Sequence, residues 1–257
     1  MKQAVAPRRP LPELWEWLTD RVAPDVAVLT EARVPKTGLP VGWSAHWLPG
    51  GIGPKRTWGT VVAARGLELA DVEFVTDTHA APAVDALWPG TVRVVDALID
   101  GTYWATIVGI YAITVDEHGA SCGHGRYSGP AILRHLAPLF DSPRGKRIIV
   151  AGDFNGWPDD LPRRRLDRLG LVDLTDHTAD KRGVLDGCSG CSRPGRCGHL
   201  WTHKNGNSPN AARQQIDFIL ASRALASELA SFSGGIQTYP DAWEMSDHAP
   251  VVAEFLR

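Results

Sequence analysis

Several side chains that can perform hydrolytic chemistry stand where an apolar run of the sequence ends. They are Glu31 in VAVLTE, Asp153 and Asn155 in RIIVAGDFN, Asp217 in QQIDFIL, and Asp247 and His248 directly before APVVAEF. A charged group at such a position is costly unless it is paired, bound to a metal or placed at the rim of a cleft. Because alternate residues of an extended chain face the same side, Asp153 and Asn155 are expected to point the same way.

Each of these segments also has a purely structural interpretation. Gly-Asp and Asn-Gly are common turn formers, so GDFNG by itself is typical of a turn. Ser246-Asp247-His248 before a strand is also compatible with local capping of backbone groups. Asp217 fits a solvent-facing position in an alternating strand, and Glu31 fits a surface acid at a strand end. The ordered combination of all four segments is what favours a functional site.

That ordered set resembles the endonuclease/exonuclease/phosphatase superfamily, which includes apurinic endonucleases, pancreatic deoxyribonuclease, sphingomyelinases and inositol polyphosphate phosphatases. The resemblance covers nearly the whole chain from about Leu11, and GDFN followed by SDH carries most of it. It implies a four-layer α+β sandwich, in which two packed, mainly antiparallel β-sheets are flanked by helices. It also implies hydrolysis of a phosphodiester by in-line attack of water, supported by a divalent metal.

The resemblance assigns a role to each matching position. Glu31 and Asp247 match metal-binding acids, and oxygen ligands of this kind suit Mg²⁺ or Mn²⁺. Asp153 matches the acid that orients or deprotonates the attacking water. The other implied catalytic positions are Asn155, which holds the scissile phosphate, Asp217, which pairs with the catalytic His248, and Tyr111 in GIYAIT, which contacts phosphate.

The sequence departs from the family pattern in two places outside the cysteine cluster. Members of the family normally begin with a strand that ends in an Asn of the metal and phosphate site, and no such strand precedes the first helix here. We expect that Met1 is an internal Met and that the reading frame begins upstream. The segment AITVDEHG after Tyr111 lacks the Pro-Asn loop usual in apurinic endonucleases, which argues against abasic-site repair.

A cysteine cluster lies within an irregular, Cys- and His-rich insert at about 186–203. Cys188, Cys191, Cys197 and His199 form C-x2-C-x5-C-x-H, with His203 as a substitute fourth ligand. Two thiolates in a tight turn and two further ligands close by can complete the tetrahedron of a structural Zn²⁺. Reduced surface thiols or a Cys188–Cys191 redox pair are the alternatives.

Composition limits the partners that the chain can bind. The net charge is −2 and 22% of the 257 residues are charged, so a polyanion must be met by a local patch or by bound metal. The resemblance implies a nucleic acid as the substrate, with a small-molecule or lipid phosphoester as the alternative, and the charge of the chain does not select between them. A catalytically inactive binding module is the alternative from another class. The sequence shows neither a secretory signal nor a membrane span, and we expect a monomeric, cytoplasmic protein.

Hydrophobic periodicity predicts the elements that position these residues in one domain spanning residues 1–257. Helices are expected over 11–22, 129–140 and the start of 161–174. A surface loop is expected over 32–58, and an irregular stretch over 180–215. Strands are predicted over 26–31, 60–65, 72–76, 91–100, 102–113, 147–156, 214–222 and 249–256, with a hairpin turn at Asp100-Gly101.

Overall fold

The computed structural model describes residues 11–47, 58–72, 90–115, 126–156, 160–181, 199–206 and 211–256. The helices are α1 (Leu11–Trp17), which continues as a π-helical turn over Leu18–Val22, α2 (Gly129–His135), α3 (Ala137–Asp141), α4 (Arg163–Arg168), α5 (Leu174–His177), α6 (Arg223–Ser227), α7 (Gly235–Thr238) and α8 (Ala242–Met245). Short 3-10 turns cover Pro143–Arg147 and Ala179–Lys181. No helix among these residues is long and apolar enough to cross a membrane.

Fifteen strands are present in the described residues. They are β1 (Val26–Ala32), β2 (Trp43–Trp47), β3 (Gly59–Arg65), β4 (Glu68–Asp71), β5 (Val92–Ile99), β6 (Thr102–Tyr111), β7 (Thr114–Val115), β8 (Arg126–Tyr127), β9 (Ile148–Asp153), β10 (Leu171–Asp173), β11 (His203–Asn205), β12 (Ala212–Gln214), β13 (Asp217–Ser222), β14 (Leu229–Gly234) and β15 (Val251–Phe255).

The largest sheet has six strands in the order β10-β13-β9-β6-β5-β4. All of its pairings are antiparallel except that of β6 with β9. A second sheet has the order β1-β3-β2, and β14 pairs with β15. The predicted pair of packed, mainly antiparallel sheets is confirmed.

The hydrophobic clusters divide the molecule into four layers. Trp15 and Leu18 of the first helical segment pack on the outer face of the β1-β3-β2 sheet, against Leu29 and Val61. The core between the sheets includes Ile107 and Ile149 of the large sheet together with Val62 of β3. On the other face of the large sheet, Ile132 and Leu136 of the α2–α3 region pack against Val150. The layers are therefore helix, sheet, sheet and helix.

The two sheets approach each other closely at Gly109 of β6. A Cβ atom built at this position would lie 2.7 Å from Thr60 Cγ2 and 3.1 Å from Val28 Cγ1. These separations are too short for ordinary contact, so glycine is required where β6 crosses the β1-β3 pair. The close approach holds the ends of β1 and β6 next to each other.

A groove of about 520 Å³ separates β1 from β15. Its walls are residues 25–29 on one side and 249–255 on the other, and its floor includes Trp104, Ile107 and Ile149 of the large sheet. In the described residues β1 pairs only with β3, and β15 pairs only with β14. Each strand therefore has one edge free of strand pairing along the groove.

Two elements differ from the sequence-based expectation. The predicted loop over 32–58 contains β2, in which Trp43, Ala45 and Trp47 pack into the core beside α1. This period-two burial was hidden by the Gly and Pro residues around it. β4 (Glu68–Asp71) is a strand that the sequence pattern did not predict. Of the strand predicted over 72–76, Val72 is irregular and residues 73–76 lie outside the described part of the chain, so that prediction stays a prediction.

Shorter deviations occur at other predicted elements. The predicted 129–140 helix is divided at Leu136 into α2 and α3. Within the stretch expected to be irregular, β11 and β12 form a two-stranded hairpin sheet. The strands predicted around β1, β3, β5, β6, β9, β13 and β15 are present, whereas β7, β8, β14 and α6 to α8 were not predicted.

Candidate active site

Three neighbouring strands of the large sheet place three of the predicted residues in one row. Asp153, the last residue of β9, is in register with Tyr111 of β6 and with Asp217 of β13. Gly152, just before Asp153, has φ of +138°, and a Cβ atom there would lie 2.0 Å from the Ile110 carbonyl oxygen. The GD pair of GDFN is therefore fixed by a backbone position that only glycine fits.

The ring of His248 lies between the carboxylates of Asp217 and Asp153. Its Nδ1 lies 2.9 Å and 3.1 Å from the two carboxylate oxygens of Asp217, and its Nε2 lies 3.9 Å from Asp153 Oδ2. His248 and Asp153 are each 1% exposed and Asp217 is 8% exposed. Asp217 thus orients the imidazole so that Nε2 faces Asp153. The 3.9 Å gap is longer than a hydrogen bond.

Burial and the charges of neighbouring groups shift the pKa values of Asp153, Asp217 and His248 in different ways. Burial raises the pKa of Asp153 to about 7, against the opposing charge of His248 and with repulsion from Asp217. Burial also disfavours ionised Asp217, but the charge and hydrogen bond of His248 outweigh it and lower its pKa. Burial lowers the pKa of His248, yet the Asp217 charge and hydrogen bond raise it overall. The pair is consequently held as imidazolium and carboxylate.

Asn155 is locked against Asp153. Its backbone N–H donates to Asp153 Oδ1 at 2.7 Å, and its side-chain amide donates to the Ala112 carbonyl at 2.7 Å and to Asp153 Oδ2 at 3.2 Å. Asn155 has φ of +50°, a left-handed conformation that Asn tolerates better than most residues. The amide therefore lies beside the carboxylate as the sequence pattern predicts.

Glu31 enters the site through Tyr111. The Tyr111 hydroxyl donates a hydrogen bond to Glu31 Oε1. Glu31 is 5% exposed, has φ of +48° and lies where the β1-β3 register shifts between Leu29 and Ala32. A bulge of this kind re-aims a side chain at the end of a strand. Trp58 packs edge-on against Tyr111, with ring centroids 5.4 Å apart.

Asp247 and a second histidine flank His248 on another side. His203 forms an isolated antiparallel bridge with His248, and the two ring centroids are 4.6 Å apart. His203 Nε2 lies 4.0 Å from Asp247 Oδ2, and His203 Nδ1 lies 3.0 Å from Gln214 Oε1. Burial, followed by the charge of His248, lowers the pKa of His203. Sequence reasoning considered His203 only as a substitute zinc ligand and missed this contact.

Thr202 is a further residue that the sequence did not single out. Its hydroxyl accepts hydrogen bonds from the backbone N–H groups of Ile216 and Asp217, both at 3.2 Å. Its carbonyl accepts from Ala249 N at 2.7 Å. Thr202 is buried, so it ties the start of β13 to the segment that carries His248. Its only signal in the sequence was its position next to His203.

Two groups of metal-ligating type occur among the described residues. One consists of His203, Asp247 and His248, and the other of Asp153, Asp217 and His248; within each group the ligand atoms lie within 4.8 Å of one another. Asp247 Oδ1 is buried without a hydrogen-bond partner in the described structure. Glu31 reaches the same row through Tyr111. A buried carboxylate oxygen without a proton donor suits a cation.

The cysteine cluster falls outside the described residues. Cys188, Cys191 and Cys197 belong to the stretch 182–198, while His199 is described and 8% exposed. The zinc prediction made from C-x2-C-x5-C-x-H therefore stays a prediction. The described chain resumes at His199 and leads directly to Thr202 and His203 of the site.

Comparisons with solved structures identify the fold. An AP endonuclease from Leishmania major has a TM-score of 0.62 and 16% identity over 95% of this chain and 81% of its own. An AP endonuclease from Archaeoglobus fulgidus has a TM-score of 0.59 and 18% identity, covering 97% and 95%. A 3′ phosphatase from Neisseria, solved with product DNA hairpin, has a TM-score of 0.59 and 18% identity, covering 98% and 96%. These similarities support the predicted fold.

Structural similarity at 16–18% identity identifies the fold but not the family, and a family model identifies the family. No curated protein matches the sequence. The model of the Endonuclease/Exonuclease/phosphatase family matches residues 13–248, which include every described residue of the site. The chain therefore belongs to the Endonuclease/Exonuclease/phosphatase family.

Proposed function

We propose that this protein is a Mg²⁺- or Mn²⁺-dependent phosphodiester hydrolase that acts on nucleic acid by in-line attack of water. The observation that carries the proposal is the arrangement of Asp217, His248 and Asp153. It puts a buried, oriented imidazole opposite a carboxylate whose pKa is raised to about 7. Hydrolysis by this family acts on phosphoester bonds, which require a positioned water and stabilisation of charge on the phosphate oxygens.

Asp153 is the proposed general base. A base is most effective when its pKa lies near the working pH, and the pKa of Asp153 is about 7. The backbone N–H of Asn155 donates to its Oδ1, which fixes the direction in which the carboxylate faces. Asp153 would take a proton from the attacking water, and Asn155 would present a neutral N–H donor to the phosphate.

His248 is the proposed donor to a phosphate oxygen. Asp217 accepts from Nδ1 and keeps the ring protonated, so Nε2 carries a proton that points toward Asp153. The 3.9 Å between Nε2 and Asp153 Oδ2 leaves each group free to engage the substrate and the water instead of each other. A charge-assisted hydrogen bond from imidazolium to phosphate would stabilise the charge that develops in the reaction.

Glu31 and Asp247 are the proposed metal ligands. Both provide carboxylate oxygens, and the buried Asp247 Oδ1 has no hydrogen-bond partner in the described residues. A bound Mg²⁺ or Mn²⁺ would act as a Lewis acid on the phosphate. Tyr111 would position Glu31 through its hydroxyl. We further propose a structural Zn²⁺ on Cys188, Cys191, Cys197 and His199 within a single domain of 257 residues.

A small phosphoester is the second candidate substrate. The net charge of −2 gives no overall attraction for a polyanion, so the whole-chain charge favours a smaller substrate. A catalytically inactive role has less support. Burying the Asp217–His248 pair beside Asp153 lowers the stability of the fold, and a binding module has no need for such a buried pair.

Hydrolysis assays with matched variants test the proposal. Plasmid DNA, single-stranded oligonucleotides and bis-p-nitrophenyl phosphate are incubated with Mg²⁺, Mn²⁺ or EDTA. Asp153→Ala and His248→Ala are compared with Asp167→Ala, which removes an acid of the α4 region outside the site. We expect metal-dependent cleavage that is lost only in the first two variants. Preference for bis-p-nitrophenyl phosphate over both nucleic acids would favour the small-substrate alternative, and no turnover of any substrate would contradict the proposal.

A further inference from the structure

Two basic side chains and one tryptophan form a compact surface beside the candidate active site. Lys204 of β11 and Arg213 of β12 stand directly opposite each other in the antiparallel pair. Lys204 Nζ lies 5.8 Å and Arg213 Cζ lies 5.7 Å from the ring centroid of Trp243. Arg213 is exposed, and Lys204 and Trp243 are half-buried. We name Lys204, Arg213 and Trp243 the hairpin patch.

The hairpin patch carries positive charge that no salt bridge among the described residues neutralises. Like charges directly opposite each other in an antiparallel pair destabilise that pair. Neither cation forms a salt bridge within the part of the chain that the structure describes. A structural cation–π contact requires only one cation per ring, so placing two on Trp243 adds repulsion without a corresponding structural need. The arrangement suits an anion that is bound between or across the two cations.

The hairpin patch is continuous with the candidate active site. Lys204 follows His203, whose ring packs 4.6 Å from that of His248. The Lys204 backbone N–H donates to the Asp247 carbonyl at 2.9 Å. A single hydrogen bond therefore connects the backbone of the basic residue to the segment of the proposed metal ligand. The hairpin that carries Lys204 and Arg213 is thereby fixed to the segment that carries Asp247 and His248.

We propose that the hairpin patch binds the phosphates that flank the scissile phosphate of a polynucleotide. This inference rests on the proposed function and specifies the substrate class of that site. A single phosphodiester has no flanking phosphate, whereas a nucleic acid strand presents one at every nucleotide. The patch supplies the local positive charge that the chain's net charge of −2 does not. Trp243 brings both cations close to a single aromatic ring, so that one strand of phosphates can meet both.

Binding measurements test the proposal without requiring turnover. The dissociation constant of a fluorescein-labelled single-stranded oligonucleotide is measured by anisotropy in EDTA, over a range of salt concentrations. The full chain is compared with Lys204→Ala/Arg213→Ala and with Arg163→Ala/Arg164→Ala. The second double variant removes the same charge from α4, a basic helix outside the site.

We expect the hairpin variant to bind roughly 10- to 100-fold more weakly at low salt, and its log–log salt slope to fall by about 1 to 2. The α4 variant should keep the dissociation constant of the unmodified chain. Hydrolysis of bis-p-nitrophenyl phosphate should change less than twofold in the hairpin variant. A charge-preserving Lys204→Arg/Arg213→Lys variant should bind within a few-fold of the unmodified chain.

Unchanged binding by the hairpin variant, or equal losses in both double variants, would overturn the inference. Loss of bis-p-nitrophenyl phosphate hydrolysis together with binding would also overturn it, since the patch would then support the reaction centre itself. If oligonucleotide binding depends on the patch but no protein hydrolyses any substrate, the inference stands and the proposed hydrolase function fails. The two outcomes are thus separable.

Discussion

Replacing Asp217 by Asn tests the central physical argument about the site. The substitution keeps the shape of the side chain but removes the charge that holds His248 protonated. Without that charge, burial dominates and lowers the pKa of His248, so the ring is neutral near pH 7. A neutral ring cannot make the charge-assisted hydrogen bond to phosphate that we assign to it.

The size of the effect follows from the value of that bond. Hydrogen bonds to charged groups contribute about 1.5–3 kcal/mol, and about 1.4 kcal/mol corresponds to a tenfold change in rate. We therefore expect kcat of Asp217→Asn to fall by roughly 10- to 150-fold, with a smaller change in KM. The high-pH limb of the kcat profile should move toward lower pH, because His248 loses its proton earlier. Steady-state hydrolysis of bis-p-nitrophenyl phosphate between about pH 5 and 9 measures both quantities.

A matched substitution separates chemistry from folding. Asp173→Asn makes the same change at another acid of the same sheet, in β10, outside the row of site residues. It should leave kcat within twofold of the unmodified chain, and thermal melting should show that both variants are folded. If Asp217→Asn keeps full activity and an unshifted pH profile while folded, the assigned role of the Asp217–His248 pair is wrong.

Two further predictions concern Tyr111 of β6 and Asp173 of β10. Tyr111→Phe removes the hydrogen bond to Glu31. Because a hydrogen bond to a charged group contributes about 1.5 kcal/mol, the Mg²⁺ concentration for half-maximal activity should rise roughly tenfold. Tyr103→Phe on the same strand is the control, and an equal Mg²⁺ requirement in both variants would contradict the assignment. Burial raises the pKa of Asp173 to about 6, so its stabilising contribution is complete below about pH 4 and is lost as the pH rises through 6. Asp173→Asn keeps the hydrogen bond that caps Thr175 N. Between pH 4 and 7 its free energy of unfolding, measured by urea titration, should rise by about 1–2 kcal/mol relative to the unmodified chain, after allowance for the partial exposure of this residue. Parallel pH dependence of the two proteins would refute this prediction.

The order of the site residues along the chain was predictable because each follows a local rule. Apolar runs that stop at an acid marked the ends of β1 and β9, and the same rule marked the segment before β15. Strand register then places Asp153 beside Asp217 and Tyr111. That register was not visible in the sequence, because neither the parallel pairing of β6 with β9 nor the neighbours of β13 follows from periodicity. The geometry of the row therefore had to come from the structure.

Contacts between distant segments were beyond the reach of the sequence for a related reason. His203 and His248 meet through a backbone bridge between residues that are far apart in the chain. Trp58 lies in a segment predicted to be a loop, and its ring contacts that of Tyr111, which is also distant in the chain. Histidine and tryptophan pack or bind in many contexts, so their types alone carry little information about partners. The acids, which are costly to bury alone, gave a signal from residue type, whereas Asn155, His248 and Tyr111 were indicated only by the motifs around them.

Three unsatisfied features meet at one end of the large sheet, and together they define what completes the site. Asp153 adds negative charge to an Asp217–His248 pair that is already balanced, and its pKa rises to about 7. Asp247 Oδ1 is buried without a proton donor in the described structure. Lys204 and Arg213 lie close to one tryptophan ring, and neither forms a salt bridge among the described residues. A metal cation would compensate the charge of Asp153 and bind Asp247 Oδ1, and the phosphates of a nucleic acid would compensate the charges of Lys204 and Arg213. The residual electrostatic cost of the isolated protein is thus the physical source of the affinity that we propose for metal and substrate.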